Sequence, residues 1–410
     1  MLYKIVSLMV IACSVIAFAK EQIISPIPLP SQEIADLDIK KCSKSCLNKL
    51  FEEGQYFSFL SLYRDNNDKA LREKFQVASG ILDSAILHPV SIAQSGIRIA
   101  LLIPQKNIGR YSVSSADSIL AYLIAKGGDF EFNVFDSQNE ESTNLSQTYH
   151  VIQKQNFDYV IAILTSKGLE NLLQNTEITL PIFIPTLNQT QISPSLNTQN
   201  LFFGGIDYHK QIDMMLTLAH SKKAKIISYN DNGVIGKMLG NIIEKKSQDT
   251  LVSEIVDSKK ATKFNESINK IRKNLKESMI ILNTSVIKSG LIIPQIGNTK
   301  TMPMAFLSSQ INYNPSLLKL VPKEDSTKIF VVNAISPVNI KLLAFSDLLS
   351  SDLQYDWVNY ATALAVDIML ANSTKGGIRF FGEKLQGNQV LYNDRFYGVK
   401  DAHFVPVKLR

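Results

Sequence analysis

Four short segments of this chain carry hydroxyl, amide or carboxyl groups at or shortly after apolar runs: Tyr111-Ser112, Thr165-Ser166, Tyr229-Asn230-Asp231 and Ser308-Ser309. If those runs are parallel strands, the segments lie at their carboxyl ends, where ligands of α/β proteins sit. There the N-termini of the following helices present unpaired N–H groups to an anion. Tyr111, Ser112, Thr165, Ser166, Tyr229, Asp231 and Ser308 are therefore the candidate ligand-binding residues. The same residue types are ordinary helix caps, and capping competes with the binding reading at every one of them.

Covalent chemistry has less support. No G-x-S-x-G, H-E-x-x-H, Walker A or G-x-G-x-x-G pattern occurs. His88, His150, His209, His220 and His403 lie far apart in sequence, and with three cysteines they argue against a structural zinc site. Gly204-Gly205 and Gly376-Gly377 read as turns before they read as phosphate loops. The expectation is a protein without enzymatic activity, metal or cofactor. Lys and Arg number 43 against 37 Asp and Glu, a net charge of +6. That excess reads as modest and scattered, which gives no case for nucleic acid.

The N-terminus points to export. Lys4 precedes an apolar stretch, Ile5 to Phe18, that ends at Ala17-Phe18-Ala19, a secretory signal with cleavage after Ala19. Val10-Ile11-Ala12-Cys13 is the rival, a lipobox that would acylate Cys13. The mature chain carries no further run that suits a membrane span. In an oxidising envelope Cys42 and Cys46 are expected to pair, fixing the start of a helix.

Residues 20–46 read as an extended leader containing Pro26, Pro28, Pro30 and the cysteine pair. Residues 47–95 read as short amphipathic helices. Leu50, Gly54, Tyr56 and Tyr63 there resemble one tetratricopeptide-like hairpin. Tyr56, Phe57, Phe59, Leu60 and Tyr63 exceed what one short helical face can bury, so Tyr56 and Phe59 are expected on an exposed, partner-binding patch. From Ile97 to Arg410 strands and helices alternate twice, which predicts an α/β fold of two doubly wound parallel-sheet lobes. One helix is expected over Ala261–Lys276, and hairpins over Ile378–Leu409.

The order of four features resembles the type I periplasmic-binding-protein fold, as in branched-chain amino acid receptors. They are the strand IRIALLIP with a helix ending in Gly127-Gly128, the strand ending FNVFD, the stretch LFFGGIDYHKQIDMMLTLA, and the helix YDWVNYATALAVDIML before a tail ending FVPVKL. The resemblance covers about three quarters of the chain. It implies that Thr165 and Ser166 match the hydroxyls that hold a ligand carboxylate, with Asp231 a stand-in for the group that takes the ammonium. The chain departs from those receptors in its long N-terminal segment and its long polar loop from Thr186 to Asn200. A helical segment before such a domain is similar to the penicillin-binding-protein activators and to some periplasmic flagellar-motor accessory proteins. The resemblance thus implies a scaffold for an envelope partner, a peptidoglycan synthase or flagellar motor component. The alternative is a receptor delivering an amino-acid-like ligand to a transporter. For the cysteines the expected outcome is concrete: mass spectrometry of exported chain after alkylation should find no modified Cys42 or Cys46, and two alkylated thiols would reject the bridge.

Overall fold

The computed structural model describes residues 42–64, 68–86, 96–248, 250–299, 301–371 and 379–409. The expected signal segment, Cys13, most of the expected leader and Gly376-Gly377 lie outside them. Residues up to Arg72 and those from Glu73 onward form two compact units.

The first unit is helical. Ser43 caps α1 (Lys44–Glu52) by accepting the Cys46 N–H at 3.3 Å, and Cys42 is bonded to Cys46 across that first turn. The cysteine pair thus belongs to the start of a helix, and the leader ends earlier than residue 46. After a turn at Gly54 come α2 (Tyr56–Leu62) and the first residues of α3 (Lys69–Ile86), most of which belongs to the second unit. The expected exposed patch is corrected here: Phe59 is 0% and Tyr56 7% exposed. Both rings stand edge-on against Phe51 with centroids 5.4 Å away, and Tyr63 lies 5.8 Å from Phe59. Two helices of nine and seven residues offer little aliphatic area, so their aromatics fill the interior.

The second unit has two seven-stranded sheets. In the first lobe β1 (Ile97–Ile103), α4 (Tyr111–Lys126), β2 (Phe130–Asp136), α5 (Ser142–Lys154), β3 (Tyr159–Ala162), α6 (Ser166–Gln174), β4 (Ile182–Ile184) and β5 (Leu201–Phe203) follow in turn. The second lobe opens with α7 (Tyr208–Ser221), β6 (Lys225–Asp231), α8 (Val234–Lys246), β7 (Thr250–Val256) and α9 (Asn265–Ile271). It continues with β8 (Ser278–Asn283), α10 (Val286–Gly297), β9 (Ala305–Ser308), α11 (Pro315–Leu320) and β10 (Ile329–Asn333). The chain then returns through α12 (Ile340–Leu348) and α13 (Trp357–Ala371) to the hairpin β11 (Lys384–Gln386) and β12 (Gln389–Leu391), and ends in β13 (Arg395–Lys400) and β14 (His403–Pro406).

Strand order is β11-β12-β5-β4-β3-β1-β2 in the first sheet and β14-β13-β10-β9-β8-β6-β7 in the second. β1 to β5 pair in parallel, as do β6 to β10; β11–β12 and β13–β14 are antiparallel hairpins. β1 and β3 are apolar and buried because helices cover both faces. The two-lobe α/β expectation holds. Two local readings do not. Ala261–Lys276 breaks near Phe264, whose ring is fully buried and whose N–H donates to Gln295 Oε1 at 2.9 Å. The helix α10 was not expected, since it contains Pro294 and its apolar residues surround most of its girth.

Removing the ring of Phe59 leaves a cavity among Phe51, Tyr56 and Tyr63. Phe59→Ala should cost the helical unit about 3–5 kcal/mol. Hydrogen exchange should then accelerate in the α1 and α2 amides while the β6 and β8 amides keep their protection. Unchanged exchange in α1 and α2 would show that these rings hold nothing together.

Candidate functional site

The candidate residues reach the carboxyl ends of their sheets, but most of their polar groups are already engaged. Ser112 lies in the first turn of α4, 7% exposed, with its hydroxyl donating to Gly109 O at 2.8 Å. Tyr111 beside it carries the Arg110 guanidinium 5.0 Å from its ring centroid. Ser308 donates to Leu282 O at 2.6 Å and accepts from Asn312 Nδ2 at 2.8 Å. Asn230 accepts from Ser228 and Asn283 at 2.8 Å each. Tyr229 is a correction. Its side chain is fully buried on the β6 face covered by Phe264, ring centroids 4.7 Å apart, so it belongs to the lobe core. Burial pushes its phenol well above the usual range.

Asp231, the last residue of β6, has a cation of its own. Lys288 Nζ on α10 lies 2.9 Å from Oδ1 and also donates to Asn232 Oδ1 and Val256 O, while the Gly233 and Ser285 N–H groups donate to the Asp231 carboxylate. Burial pushes the Asp231 pKa up, but Lys288 and those N–H groups outweigh it and hold the carboxyl below its ordinary value. An ammonium ligand would find this carboxylate compensated.

At the N-terminus of α6 the occupant is a carboxylate from the same chain. Thr165 is the cap, its hydroxyl oxygen accepting the Gly168 N–H at 3.1 Å. The Thr165 N–H donates to Glu140 Oε1 at 2.7 Å and its hydroxyl to Glu140 Oε2 at 2.5 Å. Glu140 is 8% exposed, and its backbone is fastened by Asn107 and Asn171. Gly168 makes room for it: a Cβ there would lie 2.3 Å from Glu140 Oε1. Ser166, half-buried, begins the helix. Thr165 and Ser166 are thus the two candidates placed where an anion would sit, and an anion already sits there.

Glu140 and Lys288 were not among the candidates. In Asn139-Glu140-Glu141 either acid suits the start of α5, and Lys288 lies 57 residues from Asp231, so neither pairing leaves a local signal. Gly204-Gly205 serves close packing, since a Cβ on Gly205 would lie 2.2 Å from the Leu187 carbonyl carbon. Among the described residues no group of three or more His, Cys, Asp or Glu could hold a metal ion, and no helix is long and apolar enough to cross a membrane. An open groove of about 590 Å³ flanks α7, and none of the candidate residues lines it.

The two-sheet topology has known counterparts. A branched-chain amino acid ABC transporter protein from Thermus thermophilus with bound valine aligns at TM-score 0.56 and 16% identity, over 78% of this chain and 97% of that one. The substrate-binding protein LivJ of Streptococcus pneumoniae, in complex with isoleucine, aligns at 0.53 and 13%, over 76% and 100%. The chain has the type I periplasmic-binding-protein fold. LpoA of Haemophilus influenzae also shares it, at TM-score 0.50 and 13% identity, over 88% of this chain and 68% of that one. No protein-family model matches the sequence, and no curated protein matches it. At these identities the likeness is one of fold.

The Asp231–Lys288 pair yields a signed pH prediction. A lowered carboxyl pKa stabilises the fold fully above the unfolded-state value near 3.9, and that contribution fades as pH falls through the folded value. Lys288→Met should therefore cost about 1.5–3 kcal/mol at neutral pH. In denaturant titrations the gap to the parent should narrow progressively in acid; a gap that stays constant would place the effect in packing alone.

Proposed function

We propose that this is a non-enzymatic envelope protein that uses the type I binding-protein fold as a scaffold for a partner protein. The observation that carries this reading is Glu140 on Thr165. A receptor for an amino acid must leave its anion-holding groups free for the ligand, whereas here the cap hydroxyl and N–H are taken by a buried carboxylate of the same chain. The Lys288 pairing of Asp231 supports it from the second lobe. The LpoA alignment supports it too: 88% of the chain is more than residues 97–410 can supply, so the likeness extends into residues before Ile97. LpoA is a regulator of PBP1A. By that analogy the partner is a peptidoglycan synthase, with a flagellar motor component the other envelope candidate and the periplasm the compartment. The chain reaches it by cleavage after Ala19, with acylation at Cys13 the alternative route.

Calorimetry with an amino acid panel, together with the double variant Thr165→Ala, Ser166→Ala, tests this reading. The parent chain should give no micromolar binding, and the double variant should retain the biological role: deletion of the gene should alter wall growth or motility without an uptake defect, and the variant should restore it. Micromolar binding weakened at least tenfold by the double change would instead establish the solute receptor, since losing hydrogen bonds to a bound carboxylate costs that much or more.

A further inference from the structure

The net charge of +6 conceals a division between the lobes. Residues 97–207 contain six cationic and ten acidic side chains, whereas residues 208–334 contain nineteen and ten. The excess is segregated rather than scattered. Within the second lobe it collects where three segments lead into adjacent parallel strands: 221–225 before β6, 244–250 before β7 and 270–277 before β8. β6 lies between β7 and β8 in register, Lys225 beside Ser278 and Ile226 beside Thr250, so all three segments meet at one pole, opposite the strand ends that carry the candidate site. Together they hold nine cationic and three acidic residues, an excess as large as that of the whole chain.

Part of this charge is compensated. Lys225 pairs with Glu277 at 3.1 Å and Lys246 with Asp213 at 2.6 Å. Lys223, Lys245, Lys273 and Lys276 are exposed and have no acidic partner among the described residues. The composition says what such a pole suits. Protein interfaces are enriched in aromatics and Arg and depleted in Lys, yet the three segments contain eight Lys, one Arg and no aromatic residue. A layer of mobile ammonium groups without planar forks or apolar anchors fits a diffuse array of phosphates.

We propose that the strand-entry pole of the second lobe rests on a bilayer surface rich in anionic phospholipid headgroups. Each lysine near such a surface contributes roughly fivefold in affinity, and the attraction is screened by salt. The test uses the exported chain with vesicles of phosphatidylcholine alone and of phosphatidylcholine and phosphatidylglycerol in equal parts. Binding to the anionic vesicles should exceed binding to the neutral ones and vanish at high salt. Lys223→Gln, Lys245→Gln and Lys273→Gln combined should reduce that excess about a hundredfold with an unchanged melting temperature. The same charge change on the other sheet and lobe, Lys106→Gln, Lys154→Gln and Lys384→Gln, should leave it nearly intact. Equal binding to both vesicle types, or equal loss in both triple variants, would overturn the proposal. Retention on polyglutamate but not on anionic vesicles, lost in the first triple variant, would overturn it in favour of an acidic protein.

Discussion

The chain passes from one lobe to the other at three places, and the crossings are tied by a relay that begins at a buried carboxylate. Asp394, 3% exposed in its side chain, accepts from Lys210 Nζ and Gln211 Nε2, each at 2.8 Å. Gln211 Oε1 takes the Gln310 N–H at 2.9 Å, and Gln310 Oε1 takes the Ala334 N–H at 2.7 Å. Residues from the β5–α7 crossing, the exit of β10 and the last return to β13 thus share one chain of donors and acceptors. A carboxylate in that position cannot be left without partners, because an unpaired buried charge costs several kcal/mol. The relay therefore ties the three crossings in register, and the relation of the two rows of strand ends follows from it. Tyr392 OH on Gly204 O at 2.6 Å and Gln389 Oε1 on the Gln189 N–H at 2.8 Å extend the same lashing into the first lobe.

Given that frame, the strand ends could have been left open for a ligand, and at the best-placed position the chain instead supplies the anion itself. Glu140 is held by its own backbone bonds to Asn107 and Asn171, so its carboxylate faces Thr165 at a very high effective concentration. A free carboxylate would have to displace it and leave a desolvated acid behind, and an intramolecular competitor is hard to dislodge at physiological ligand levels. Gly168 shows the same commitment from the other side, since its missing Cβ is the space the carboxylate occupies. The apolar strands and the helix caps are common to receptor and scaffold alike; the difference lies in which groups are spent internally.

Much of the fold was legible because its signals are local. β1, β2, β5 and β7 are short apolar or β-prone runs bounded by turn residues, and Gly127-Gly128 ends α4 where expected. α10 was illegible because a helix apolar around most of its girth has no periodic face, and Pro294 argues against it until its neighbours are known. The aromatic run of α2 misled for the opposite reason: counted alone it exceeds one face, but Phe51 on α1 supplies the interior that absorbs Tyr56 and Phe59. At the site the hydroxyl and carboxyl types were readable while their availability was not. Thr165 and Glu140 are 25 residues apart, Asp231 and Lys288 57 apart, and only the sheet brings each pair together.

The lobe charges were misread through an average, and the physical consequence of the division is orientation. A body acidic at one lobe and basic at the other has an electric moment, so an anionic surface turns it before contact, with the second lobe inward and the first lobe outward. Such steering is inexpensive in structure, since exposed lysines need no packing, and it discriminates poorly between anionic surfaces. Selective recognition must then come from elsewhere on the molecule. Apolar groups are exposed at the entrances of helices on the strand-end side: Val113 on α4, Val234 on α8 and Ile287 on α10 are 64%, 83% and 69% exposed. These apolar groups are left in solvent at both lobes. On the scaffold reading proposed above, a partner that covers these groups gains their burial, a gain that a small polar ligand held by hydrogen bonds does not need.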